Sequence, residues 1–295
     1  MKKSVSARKT VHSLPLSRKI FSLSLNLLGK LAIVITVGAL AAIVLYIFIG
    51  GIPHLNWNFL FGKYTADRPT ISFAILTTLI LVGLALLVSV PIGVCCAIYL
   101  TEYAKRGSKL VRAIGLATET LAGIPSIIYG LFGAIFFGTV LDLGYSILCG
   151  VFTVSIMVLP TIIRTSEESI KAVPDLYREG SFGLGAGKLR TILKIVLPAA
   201  SKGIFTAMIL SVGRIVGETA ALIFTLGSVA QMPGSLLDSS RTLAVHMYIS
   251  TRDGGMNGRN AAFATGVVLI VVVILVNLLA SYLGRKAGKF SENQD

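Results

Sequence analysis

Long apolar runs fix what this 295-residue chain can become. A helix crossing the hydrocarbon core of a bilayer needs about 20 mostly apolar residues, and all its backbone N–H and C=O groups must pair within the segment. Runs of that kind cover residues 27–49, 71–100, 113–141, 145–163, 203–226 and 262–283. A soluble core has no need of such repeated uninterrupted stretches. Only 14% of the residues are charged and 54% are hydrophobic, where an ordinary soluble domain carries about 25% charged residues. The expected fold is all-α and polytopic, with six transmembrane helices. Disordered chains and almost every soluble enzyme are excluded.

The basic residues orient these helices. Lys and Arg number 27 against 13 Asp and Glu, a formal net charge of +14. Nineteen of the basic residues fall on one side of the expected topology. They lie in the N-terminal segment, in the loop with Lys105, Arg106, Lys109 and Arg112, in the loop with Lys171, Arg178, Lys188, Arg190 and Lys194, and at the C-terminus. The other side holds only Lys63, Arg68, Arg241, Arg252 and Arg259. Basic loops stay in the cytoplasm. Both termini are therefore expected inside, and residues 50–70 and 227–260 outside. The excess charge is a topology signal rather than a nucleic-acid footprint.

The organisation expected is a basic cytoplasmic tail over 1–26, a transmembrane domain over 27–285 with a cytoplasmic loop at about 166–198, and a C-terminal tail over 286–295. The first run is longer than the core of a signal peptide, about 7–15 residues, and is expected to remain as a helix. Trp57, Phe59, Phe61 and Tyr64 suit a belt at headgroup level. A short helix is expected around residues 243–250 of the long outer segment.

Chemistry of its own is hard to find. The stretch Gly183, Gly185, Gly187, Lys188, Leu189 comes near a phosphate-cradling loop, but its first glycine is one place off and Leu189 replaces the hydroxyl that would hold magnesium. Cys95, Cys96 and Cys149 read as small apolar helix residues, and His12, His54 and His246 are scattered. No metal or cofactor is expected in this chain, so its energy must come from an ion gradient or a partner.

The cytoplasmic loop between the fourth and fifth runs carries the strongest pattern. Pro174 presets the first turn of a short helix and Asp175 suits its N-terminus. The glycines from Gly183 to Gly187 stop it. An amphipathic segment, 188–196, then leads to Pro198. This loop resembles that of the permease subunits of bacterial ABC importers, whose motif is Glu-Ala-Ala, three residues, Gly, nine residues, Ile-x-Leu-Pro. Glu179, Gly185, Ile195, Leu197 and Pro198 match it with every spacing kept. Gly180 and Ser181 stand where the family usually has Ala. The resemblance implies the type I permease fold of ABC importers, a coupling helix in this loop, and a separate cytoplasmic ATPase that seats it and binds the ATP and Mg.

Three further stretches resemble the permeases of the bacterial phosphate importer, the PstA and PstC pair. They are Leu121-Ala-Gly-Ile-Pro125-Ser-Ile-Ile-Tyr129-Gly130, Leu159-Pro160-Thr-Ile-Ile-Arg164-Thr-Ser-Glu167-Glu168, and Arg214-Ile-Val-Gly217-Glu218-Thr219. Residues 241–248 lean towards PstA. The resemblance implies inorganic phosphate as substrate, a heterodimer with a PstC-like chain, two PstB-like ATPase subunits and an external PstS-like phosphate-binding protein.

Arg214 and Glu218 are four residues apart in the fifth run, which places them on one helix face. They form either a structural pair that locks helices or a phosphate pathway. Glu119 and Arg164 are further pathway candidates, each readable instead as an interface residue. His246 reads as a packing or surface residue rather than a ligand. Other readings stay open: a permease for molybdate, sulfate or amino acids, an ion-coupled transporter using Arg214 and Glu218 as a relay, or a membrane-embedded enzyme.

Overall fold

The computed structural model describes residues 16–62, 70–105, 107–253 and 255–292, and among these there is no strand. The chain divides into two compact units, the first ending at Ile49 and the second starting at Gly50. Helix α1, Leu16–Gly51, accounts for the described part of the first unit. It starts ahead of the apolar run, so residues 16–26 are helical rather than a tail. No proline interrupts it, and it ends at Gly50–Gly51, with Pro53 in a single 3-10 turn, Ile52–His54. Side chains 21–46 are exposed all round.

The second unit opens with a short helix, α2, Trp57–Phe61, whose first turn is capped by the Asn56 side chain accepting from the Phe59 N–H at 2.7 Å. Of the aromatics expected at headgroup level, Trp57 and Phe61 are exposed and pack on each other, whereas Phe59 is buried. Tyr64 lies outside the described residues. Helix α3, Ser72–Ile98, continues into a wide π-helical turn, Tyr99–Tyr103.

The third apolar run is not one straight span. It forms α4, Lys109–Ala122, and α5, Ser126–Gly133, which a π-helical stretch extends through Val140; the two halves meet at 103°. Pro125 causes the break: its ring keeps the residue before it out of helical geometry and it has no N–H to donate. Helix α6, Ile147–Lys171, follows. Helix α7, Asp175–Gly183, is the loop helix expected from the sequence. Helix α8, Lys188–Thr191, runs through a π-helical turn into α9, Leu197–Val216. The fifth run breaks as well, because α9 ends at Val216 and α10 covers only Ala220–Thr225. Helices α11, Leu243–Asp253, and α12, Gly255–Glu292, complete the unit. Helix therefore continues past residue 285, where a tail was expected. Among the described residues five helices are long and apolar enough to cross a membrane, and the bent α4–α5 pair makes a sixth span if counted as one.

Helix α6 is the hub. Val151, Val154, Met157, Val158 and Ile162 pack against Leu81, Val82 and Ala85 of α3, Val212, Ile215 and Val216 of α9, and Leu222 of α10. Small residues let these helices approach, as they must where lipid supplies no hydrophobic drive between helices. A methyl on Gly93 would lie 2.6 Å from Ile162, and one on Gly130 would lie 2.7 Å from the Ala221 Cα.

Helix α11 is buried through Leu243, Ala244, Val245 and His246. The His246 ring meets Phe73 edge-on at 5.5 Å. Burial, and secondarily Arg241, pushes its pKa down to about 3. The unfolded chain binds this proton near pH 6.5, so unfolding gains a proton between the two values and stability rises with pH there. We expect thermal stability in detergent to be full above about pH 6.5 and to fall as pH drops towards the folded-state value. His246→Gln should flatten that part of the profile; an unchanged profile would refute the assignment.

Candidate functional site

The loop between α6 and α9 is built in two layers. Pro174 sets the entry to α7 with φ −59° and ψ 140°, and Asp175 sits in its first turn. At the other end Leu184, Gly185 and Ala186 donate back to the carbonyls of Gly180, Phe182 and Ser181 at 2.9–3.1 Å. Gly185 takes a φ of +82°, and a methyl there would meet no atom within 4 Å. Its requirement is conformational and not one of space. The glycine-rich stretch that comes near a phosphate loop is thus a chain reversal, and Lys188 lies over the Tyr103 ring at 4.8 Å.

The motif residues divide by direction. Glu179 and Gly180 are exposed. Ser181 is buried and its hydroxyl lies 2.8 Å from that of Thr191, which ties α7 to α8. Ile195 is half-buried, and Leu197 packs on the cluster of Ala97, Ile170, Val173, Val196 and Ala200. Pro198 stands in the first turn of α9, directly after the π-helical turn that joins it to α8. Leu176, Tyr177 and Leu184 are exposed beside Glu179. The loop presents an apolar outer face and anchors an inner one.

Sequence reading missed the main anchor, Arg178, counting it only among the basic loop residues. Its guanidinium donates to Glu102 at 2.8 and 3.0 Å, to the Val173 carbonyl at 2.7 Å and to the Ile170 carbonyl at 3.0 Å. Asp175 lies 3.2 Å away. Glu102 belongs to the π-helical turn that ends α3.

The charged groups of the spans pair differently from expectation. Glu119 of α4 and Arg164 of α6, considered singly in the sequence, form an ion pair at 2.7 Å, with Glu168 at 3.7 Å. Arg214 and Glu218 do not share a helix face. Arg214 is in the last turn of α9, Gly217 caps that helix, and Glu218 lies beyond it. The buried Glu218 carboxylate accepts from the Ala221 N–H at 3.0 Å and so caps α10. Among the described residues no ion pair joins Arg214 to Glu218. The break at Gly217 is the reason, since it ends the helical repeat that spacing alone assumed.

The two breaks meet. Gly130 of α5 packs on the Ala221 backbone. Tyr129, whose hydroxyl donates across the first break to the Leu121 carbonyl at 2.7 Å, lies within electrostatic range of Arg214. Interrupted helices that face each other inside a bundle are where transporters place charged substrates.

The loop geometry generates a graded test. Gly185→Asn should retain the turn best, Gly185→Ala less well and Gly185→Val least, because left-handed backbone costs a non-glycine residue roughly 1–2 kcal/mol and Asn tolerates it. Co-purification of an ATPase subunit with each variant checks the order. Equal recovery with Gly185→Val would remove the turn from any docking role.

Residues 89–289 match the family described as the binding-protein-dependent transport system inner membrane component. The chain is 33% identical over 261 residues to the phosphate transport system permease protein PstA homolog of Mycoplasma pneumoniae, covering 85% of this chain and 39% of that relative. This chain thus spans about two fifths of the mycoplasma protein's length. It is 30% identical over 287 residues to the probable ABC transporter permease protein YqgI of Bacillus subtilis, covering 91% of this chain and 97% of the relative. It is 31% identical over 272 residues to the phosphate transport system permease protein PstC of Haemophilus influenzae, covering 82% and 86%. Among solved structures, a bacterial alginate ABC transporter in complex with an alginate pentasaccharide-bound periplasmic protein shares the fold with a TM-score of 0.67 at 15% identity, over 92% of this chain and 96% of that one. The inward-facing MetNI methionine ABC transporter gives 0.56 at 18% identity, over 74% and 94%. The chain belongs to the binding-protein-dependent inner membrane component family and is a permease subunit of an ABC importer.

Proposed function

We propose that this permease carries inorganic phosphate into the cell. The observation that carries the reading is Arg214 at the meeting of the two helix breaks. An arginine within an apolar span costs roughly 2.5–3.5 kcal/mol to insert, and among the described residues no carboxylate pairs with it. Its planar guanidinium can donate two parallel hydrogen bonds to a phosphate. Glu218 is already engaged at the N-terminus of α10, so it shapes the break rather than holding Arg214. The names of the mycoplasma and Haemophilus relatives agree with phosphate, whereas the alginate and methionine transporters share only the fold.

The energy source follows from the loop. Glu179 and the exposed apolar residues beside it offer a seat for a cytoplasmic ATPase, which would bind ATP and Mg. A PstC-like second permease, a pair of PstB-like ATPase subunits and an external PstS-like phosphate-binding protein complete the assembly we infer. The basic bias puts both termini and residues 166–194 in the cytoplasm.

The test is ATP-driven uptake by the assembled complex in liposomes, with phosphate, sulfate and molybdate compared and the membrane potential collapsed. Phosphate should accumulate and the other anions should not. Arg214→Lys should impair uptake and Arg214→Gln should lower it by at least about 10-fold, the worth of roughly 1.4 kcal/mol, with assembly retained. Glu218→Ala should mainly cost stability, about 1 kcal/mol for a lost cap. Uptake of another anion in place of phosphate, or parental uptake with Arg214→Gln, would overturn the reading.

A further inference from the structure

The coupling helix has two neighbouring residues with opposite duties. Glu179 is exposed on the outer side. Arg178 points inward, with its side chain only 15% exposed and that of Glu102 only 9%. The guanidinium reaches two different spans. Through Glu102 it holds the π-helical turn at the end of α3. It also donates to the Ile170 carbonyl in the last turn of α6 and to the Val173 carbonyl just beyond that helix. A cation at a helix C-terminus also meets the favourable end of the helix dipole. Just below lies the apolar cluster of Ala97, Ile170, Val173, Val196 and Ala200, which draws α3, α6 and the start of α9 together. Lys188 over Tyr103 adds a second link from the loop to the same turn.

We propose that Arg178 is the positioning residue that makes the coupling helix one rigid body with the cytoplasmic ends of α3 and α6, so that motion entering at Glu179 passes to both spans through the Arg178–Glu102 clasp. This rests on the reading that α7 seats the ATPase. A largely shielded pair, with two guanidinium nitrogens donating to one carboxylate oxygen, suits the task, because its geometry is fixed in a way that a solvent-exposed pair of flexible side chains is not. The carbonyl bonds add direction: a planar guanidinium that faces Glu102 on one edge and the Ile170 and Val173 carbonyls on the others cannot swing without losing several bonds together. The π-helical turn that carries Glu102 is a local widening of the helix, a feature frequent at functional sites. Here it puts the carboxylate within reach of α7.

The test compares the parent complex with Arg178→Gln and the near-isosteric Glu102→Gln, each assembled with its ATPase in nanodiscs. Spin labels on the native Cys95, exposed on α3, and on a cysteine replacing the exposed Arg190 of α8 report the distance between span and loop; Cys96 and Cys149 are replaced. In the parent that distance should be the same without nucleotide and after trapping with ATP and vanadate. In either variant trapping should shift or broaden it, while the ATPase subunit co-purifies and hydrolyses ATP within about twofold of the parent rate. Uptake of phosphate per ATP hydrolysed should fall at least about tenfold, and the double variant should be no worse than either single one. A parent distance that changes on trapping overturns the proposal, as do variants whose distance stays fixed. Variants that merely fail to assemble make the clasp a folding element and overturn it too. Failure of the parent itself to bind an ATPase strikes the docking reading, and failure to take up phosphate strikes only the substrate.

Discussion

Lipid offers no hydrogen bonds, and that constraint governs this structure. A helix may break inside a bilayer only where protein or a wet cavity replaces the lost backbone partners. Among the described residues two apolar runs break, at Gly123–Pro125 and at Gly217–Thr219, and both places supply replacements from within. Tyr129 donates to the Leu121 carbonyl on the far side of the first break. Glu218 accepts from Ala221 after the second. Close packing of Gly130 on Ala221 then brings the interrupted helices together. Without Glu218 the Ala221 N–H would lose its partner, and without Tyr129 the first break would lose the side-chain bond that spans it.

The helices themselves were legible because their signal is local and redundant. Apolar runs, the Pro174–Asp175 start and the Gly185 turn each need only a few neighbouring residues. The breaks were half legible. Pro125 and Pro160 look alike as prolines in apolar runs, yet Pro160 sits within a continuous α6 and Pro125 divides two helices. What differs is the company: Gly123 can cap α4, whereas nothing beside Pro160 stops a helix. The end of α9 at Gly217 misled the spacing argument, since a four-residue separation implies one face only while the helix lasts. The pairs between distant elements left no trace in spacing. Glu102 and Arg178 are 76 residues apart, and Glu119 and Arg164 are 45 apart.

In the proposed function, the place where energy enters is separate from the place where the substrate passes. The loop offers Glu179 and an apolar outer face, and beneath it Arg178, Ser181 and Leu197 tie the loop to the helix ends. From those ends α3, α6 and α9 run as a packed core to Val212, Val216 and Leu222, beside the breaks and Arg214. A close-packed core transmits displacement rather than absorbing it. The exposed Glu119–Arg164 pair lies on α4 and α6 outside that core.

The central claim is that energy reaches this permease through the outward side of α7. Photo-cross-linking in membranes that hold the assembled importer tests it most directly. A photoreactive side chain at position 179 should capture the ATPase subunit, and one at the buried position 191 should not. No capture from position 179, with capture instead from positions 119 or 164, would place the ATPase elsewhere and contradict the account.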